Sequence, residues 1–264
     1  AGDRCYQPGS VNDPLAARIA EDVGFEIGMF AGSTGSLSVL AAPDLIILTL
    51  TEFAAQALRI NRAMELPLMV DADHGYGNAL SVMRTVEELE TAGVSGMSIE
   101  DTALPQPFGT TEKPQILSIE EGIGKMKAAL AARRDPDLCI AGRTSAPMIT
   151  GIEDAIKRAQ AYEKAGVDAI FLVGVKSRAE LDAIAPAIKI PIILGTATPE
   201  MSDLGYLASR GVRVCLQGHQ PIQAAIQAAI GVRQQRRVDF VGFGVSEDVL
   251  AVIKSGLLDA SLMP

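Results

Sequence analysis

Tryptophan is absent from this 264-residue sequence, cysteine occurs only three times, and no apolar run approaches the roughly 18 residues of a membrane-spanning helix. The last of these excludes a transmembrane helix, and no signal-peptide pattern opens the chain. Because the sequence starts on Ala rather than Met, further residues are expected ahead of it. Cys5, Cys139 and Cys215 are odd in number and each sits in an apolar, strand-like run. They read as buried, reduced thiols of a cytoplasmic protein, not as disulfides or a metal site. Basic residues are also in deficit: 23 Lys and Arg against 32 Asp and Glu give a net charge of −9. Nucleic acid and anionic membranes both attract clustered Lys and Arg, so neither is an expected partner. The one basic cluster, Arg233, Arg236 and Arg237, is too short for such a footprint and reads as a solvated helix end. Ser-His-Asp order, a Walker loop and a CxxC pair are missing as well. No Lys falls at a strand end facing the site described below, which argues against Schiff-base chemistry.

What is present is a recurring phrase: an amphipathic helix, a Gly, one or two residues, then an apolar strand. It occurs as "IAEDVGFEIGMF", "ELETAGVSGMSIE", "AYEKAGVDAIFLV" and "YLASRGVRVCLQ", with Gly24, Gly93, Gly166 and Gly211 as left-handed helix ends. The full pattern predicts strands near 4–8, 26–31, 67–71, 96–100, 138–142, 169–173, 191–195 and 212–216. Helices are expected at 14–23, 51–64, 78–92, 119–133, 152–165, 178–187, 200–209 and from about 220. Continuous apolar strands alternating with helices predict a parallel sheet covered by helices. Eight such units point to a closed (β/α)8 TIM barrel in one α/β domain over residues 1–264. An open doubly wound sheet is the runner-up, but no GxGxxG follows the first strand. The longest stretches read as non-helical are 32–50 and 101–118, the latter Pro-, Gly- and Thr-rich and lid-like.

Active sites of such barrels are built at the C-terminal strand ends. Those ends supply Gly32 and Ser33, then Asp71 and Asp73, then Glu100 and Asp101, then Arg143, Gly174, Thr196 and His219. Asp71 and Asp73 share a strand face by the period of two. With Glu100 from the next strand they form a group of like charges that needs a cation. All-oxygen ligation suits Mg2+ or Mn2+, the competing reading being a structural network. Arg143 is either a salt-bridge partner of Asp73 or Glu100 or a clamp for a substrate carboxylate or enolate oxygen. His219 is either a helix N-cap or a substrate contact, and Asp101 alone reads equally as a helix N-cap. His74 reads as structural, and Tyr76 could pack either way. The Gly, Ser and Thr of "AGSTGSL" can present N–H groups to an anion. Asp44 by itself reads as a turn residue.

"GS" after strand 2, "PD" before "LT", "DADHGYGN" after strand 3, "IED" after strand 4 and "GRT" after strand 5 resemble the isocitrate lyase/phosphoenolpyruvate mutase superfamily. The resemblance runs from "DPLAARIAEDVGFE" to "GVRVCLQGH". It implies a (β/α)8 barrel with a C-terminal helical extension, its last helix exchanged between subunits of a homotetramer built as a dimer of dimers. It also implies Mg2+ bound directly by Asp71, with Asp73 and Glu100 acting through waters. The implied substrates are 2-oxo acids or their enols. The loop "PQPFGTTEKP" lacks the Cys and His of the family's isocitrate lyases. It carries Lys113 but not the Asn of its phosphonate mutases.

The "LPxxFG" loop and the "GH" after strand 8 are most similar to the oxaloacetate decarboxylase branch. That similarity implies Mg2+-dependent conversion of oxaloacetate, a small 2-oxo dicarboxylate, to pyruvate and CO2 through a metal-stabilised enolate. Arg143 and His219 would be catalytic, and Ser33, Gly32 and Asp44 would join them in binding substrate. Two departures bear on the substrate more than on the metal: Ser145 where the branch has Asn, and Ala197 where it tends to have Tyr. The alternatives are another C–C or C–P lyase of the superfamily, acting on a substituted malate or phosphonopyruvate, and a non-catalytic barrel that binds 2-oxo acids.

Overall fold

The computed structural model describes residues 2–106 and 114–233. In chain order its elements are β1 (Gly9–Ser10), α1 (Pro14–Asp22), β2 (Gly28–Ala31), α2 (Gly32–Leu40), α3 (Leu50–Asn61), β3 (Leu68–Asp71), α4 (Ala79–Thr91), β4 (Gly96–Glu100) and α5 (Ile119–Ala132). They continue with β5 (Cys139–Thr144), α6 (Ala146–Ile149), α7 (Ile152–Ala165), β6 (Ala169–Leu172), α8 (Arg178–Ile184), β7 (Ile192–Leu194), α9 (Leu204–Ser209), β8 (Val212–Cys215) and α10 (Gln220–Arg233). All eight strands pair in parallel, each with the next in sequence. The seam closes at Tyr6, whose N–H donates to the Arg213 carbonyl (2.8 Å) while the Cys215 N–H donates to the Tyr6 carbonyl (2.9 Å). This is the expected (β/α)8 barrel.

Period-two alternation divides the apolar residues into two layers. Met29, Ala31, Met69, Ala141, Ala169, Phe171 and Ile193 fill the barrel interior. Phe30, Leu68, Val70, Ile99, Ile140, Ile170, Leu172 and Leu194 face outward into the larger core beneath the helices. Phe30 and Phe53 stack at 4.5 Å between ring centroids and fix α3 on β2, an aromatic pair worth about 0.5–1.5 kcal/mol beyond the area it buries. Helix starts follow local chemistry. Asp13 accepts the Ala16 N–H at 2.8 Å with Pro14 at the first helical position, and Thr49 and Glu52 cap α3 reciprocally. Gly24, Gly93, Gly166 and Gly211 all have φ between +80° and +104°, as the repeated phrase required.

Three expectations are corrected. The first strand is Gly9–Ser10, not 4–8, because the earlier segment contributes only the Tyr6 bridge to β8. The stretch 32–50 is not wholly irregular, since it opens with α2. That helix is built from small polar residues whose hydroxyls bond back to the backbone, Thr34 to the Ala31 carbonyl and Ser38 to that of Thr34. No apolar stripe therefore advertises it. The short α6 follows β5 in a stretch given no helix from sequence. The C-terminal extension, the exchanged last helix, Arg236 and Arg237, and Lys113 lie outside the described residues. Among the described residues no helix is long and apolar enough to cross a membrane.

Candidate active site

Parallel register sets the acidic residues side by side. Ala31 aligns with Asp71, Asp71 with Ser98, and Glu100 with Arg143, so three adjacent strand ends deliver their polar groups to one mouth. Asp71 accepts from the Ser98 hydroxyl at 2.9 Å through Oδ1 and from Arg143 Nη1 through Oδ2. Arg143 Nη2 stands 3.6 Å from Glu100 Oε2, and the guanidinium lies 5.4 Å over the Phe171 ring. The Arg143 partners are thus Asp71 and Glu100; of the two expected from sequence, Glu100 is met and Asp73 is not. Glu100 is oriented by Thr102, whose Oγ1 donates to Oε2 at 2.6 Å.

Asp73 sits two residues beyond the end of β3 in a left-handed turn (φ +48°), its carbonyl receiving the Glu100 N–H at 2.9 Å. Its carboxylate packs over Gly32, where an added Cβ would stand 2.4 Å from Oδ2. Burial, then repulsion from Asp71 and Glu100, pushes the Asp73 carboxyl well above the usual carboxylate range. Burial likewise raises Glu100, with Asp71 adding to it and Arg143 opposing it. Burial works against the Arg143 charge, but Asp71 and Glu100 more than offset it and hold the guanidinium protonated. Three carboxyls, Asp71, Asp73 and Glu100, thus share the single guanidinium of Arg143.

Following β8, His219 is tied at both ring nitrogens, Nδ1 3.1 Å from Ser10 Oγ and Nε2 3.1 Å from Ser33 Oγ. Burial lowers its pKa, so near neutrality the ring is uncharged, donating to one serine and accepting from the other. Its backbone carbonyl also begins α10 by accepting the Gln223 N–H, which places it at the helix start as the first of its two sequence readings expects. Asp44 lies on the rim, its carboxyl raised by burial and by Asp71.

These groups line a cavity of about 1130 Å³ that also includes Ser145, Gly174, Thr196 and Ala197. Much of its remaining wall is apolar, Met148, Phe171, Val173 and Leu216 among it. Gly32 is not on the cavity wall; it supports Asp73 from behind. Asp101 is not a helix cap, since it is fully buried against Arg158 and Tyr162. His74 is buried with Nδ1 unpartnered, and burial followed by the charge of Lys125 lowers its pKa to about 4. The Tyr76 hydroxyl is buried without a partner, its ring packed near Phe53 and His74. Sequence reading missed Ser10, in a strand too short to show a pattern, and Thr102, whose role is visible only once it folds back on Glu100.

A family model described as phosphoenolpyruvate phosphomutase matches residues 10–236. A curated protein named oxaloacetate decarboxylase from Rhodopseudomonas palustris is 61% identical over 228 residues, 86% of this chain and 79% of that protein. Another of that name from a Bradyrhizobium species is 54% identical over 261 residues, 99% of this chain and 88% of that one. Among solved structures, phosphonopyruvate hydrolase in complex with oxalate and Mg2+ superposes with a TM-score of 0.78 at 31% identity, covering 99% of this chain and 88% of that one.

Proposed function

The chain belongs to the phosphoenolpyruvate phosphomutase family, and from that premise we propose that it is a carbon–carbon lyase that decarboxylates oxaloacetate to pyruvate and CO2. The observation that carries this reading is the pairing of Arg143 with an over-acidic group, Asp71, Asp73 and Glu100, at the C-terminal mouth of the barrel. No lysine or cysteine nucleophile stands among the described residues of the cavity wall.

The acidic group fits a hard divalent cation, since its donors are all oxygen and its buried carboxyls repel one another. Among the described residues no three acidic, imidazole or thiol groups are gathered tightly enough to enclose an ion by themselves. By the family resemblance Asp71 would hold Mg2+ or Mn2+ directly, and Asp73 and Glu100 would support it through waters. The bound ion would supply Lewis-acid stabilisation of charge at the substrate's 2-oxo oxygen, an effect of several kcal/mol.

The protein's own groups account for the remaining requirements. Breaking the bond between C3 and the departing carboxyl sends its electron pair toward the 2-oxo oxygen, and Arg143 provides a fixed positive charge at that end of the cavity. Ser33, at the start of α2, offers its hydroxyl to the 1-carboxylate, and His219 holds that hydroxyl in place. Met148, Val173 and Leu216 give the cavity apolar surface against which the departing carboxylate would lie. Apolar surroundings favour the change from anion to neutral CO2. Ser145 and Ala197 keep this wall less polar than Asn and Tyr would. A proton from water then completes pyruvate at C3, and no strong protein base is needed.

The expected homo-tetramer has apolar surface available to it, including Leu45 and Ile47, which are 61% and 53% exposed. The test is a panel of oxaloacetate, phosphonopyruvate and alkylmalates with purified protein, with and without Mg2+. Pyruvate from oxaloacetate must exceed the rate with Mg2+ alone; turnover of another substrate instead would replace this reading.

A further inference from the structure

Behind β4 and β5, outside the cavity, three polar residues are buried together. Asp101 and Tyr162 have no exposed surface and the Arg158 side chain is 8% exposed. Tyr162 Oη donates to Asp101 Oδ2 at 2.6 Å and Arg158 Nη1 donates to the same oxygen at 3.0 Å. Arg158 Nη1 also reaches the Leu117 carbonyl at 2.8 Å, while its Nε bonds Asp154 at 2.7 Å. Room for the phenol is made by Gly122, where a Cβ would meet Tyr162 Oη at 2.3 Å.

An apolar trio of equal volume would fill this space as well, because burying an ion pair brings little net stability. What only the polar groups supply is a fixed relation between Asp101 and Leu117, the two ends of the β4–α5 connection. Their backbones are already joined, the Leu117 N–H donating to the Asp101 carbonyl at 2.8 Å. One step further in, the Ala103 N–H donates to the Gln115 carbonyl at 2.8 Å and Thr102 bridges to Ile116. Thr102 is the residue whose hydroxyl orients Glu100.

We propose that Arg158 and Tyr162 are positioning residues of this active site: by pinning Asp101 and Leu117 to α7 they set Thr102, and through Thr102 the carboxylate of Glu100 that faces Arg143. The effect on rate rests on the decarboxylase reading; the effect on the connection rests on geometry alone.

Tyr162→Phe removes the hydroxyl with almost no change in volume, and Arg158→Lys keeps the charge but loses the fork that reaches Asp101, Leu117 and Asp154 together. Hydrogen exchange by mass spectrometry should show faster uptake in peptides carrying the Ala103 and Leu117 amides, with β5 and α7 unchanged. For oxaloacetate, kcat should fall on the order of 10-fold in both variants, with KM changed less than about twofold. Uptake raised equally through β4, β5 and α7 with kcat intact would mean a purely structural cluster and overturn the proposal. Wild-type behaviour of Arg158→Lys in both measurements would overturn it too. If the wild-type protein makes no pyruvate, the decarboxylase reading fails, and the exchange result still decides the anchor.

Discussion

Gly32 and Asp73 compete for one volume: a Cβ on Gly32 would stand 2.4 Å from Oδ2 of Asp73. The first residue of α2 thereby determines where an acid at the end of β3 can lie.

Gly32→Ala follows from this contact. Alanine suits a helix, so the backbone tolerates it and secondary structure by circular dichroism should match the parent. Asp73 has to give way, and it hangs from a left-handed turn tied to the Glu100 N–H. Misplacement by about 1 Å in a site of this kind costs roughly 100-fold. Steady-state assays at saturating Mg2+ should show that loss; full activity would refute the assignment of Asp73.

Arg143→Lys tests whether charge alone is enough at that position. A lysine carries one positive point and cannot span Asp71 and Glu100 as the guanidinium does. The expected fall in kcat/KM is about 100- to 1000-fold, the cost of removing one fixed donor from developing negative charge. A variant within a few-fold of wild type would show that the fork is dispensable.

Removal and return of metal gives a readout independent of turnover. Because burial and mutual repulsion raise Asp73 and Glu100, a divalent cation should stabilise the protein. At about 100 times its Kd the gain is roughly 2.7 kcal/mol. For a chain of this size that is about 5–10 °C in Tm. Differential scanning fluorimetry after EDTA treatment should register the shift in the wild type and not in Asp71→Asn. An unchanged wild-type Tm would count against any metal at this site.

His74 predicts a pH effect on stability with a definite sign. Its folded pKa is lowered to about 4 from 6.5 by burial and by Lys125. The unfolded chain therefore binds the extra proton first, and stability is lost as pH falls from 6.5 toward 4. At about 1.4 kcal/mol per unit the full loss is about 3 kcal/mol. Asp73 and Glu100, raised when folded, work in the opposite direction, so the quantity to measure is a difference. Urea denaturation of His74→Gln and wild type should diverge below pH 6.5, with the wild type losing more; parallel curves would show that His74 does not govern this slope.

How much of this was legible depends on the kind of signal each residue leaves in the sequence. Seven of the eight strands are short apolar runs preceded by a Gly or Pro stop, and that recurring phrase finds them. The first is two residues that pair only because β2 lies beside them, and nothing local marks it. α2 hides because its buried face is Gly, Thr and Ser, chosen for closeness to Asp73 and the barrel rim rather than for apolar area. Asp71, Glu100, Arg143 and His219 were readable because strand ends face the mouth by rule. Ser10, Thr102, Arg158 and Tyr162 were not, since each matters through a partner distant in the chain or a turn that sequence does not specify.

The bond from Ser10 to His219 spans 209 positions of the chain. A polypeptide leaving the ribosome would carry Asp71, Glu100 and Arg143 well before the imidazole that shares their cavity exists. That imidazole is steered by a hydroxyl made 209 positions earlier, and only when the seam between Tyr6 and β8 has joined. Truncated or partly folded chains would therefore have an acidic mouth without an aligned histidine. Under the proposed function, turnover would double as a report that the ring is complete.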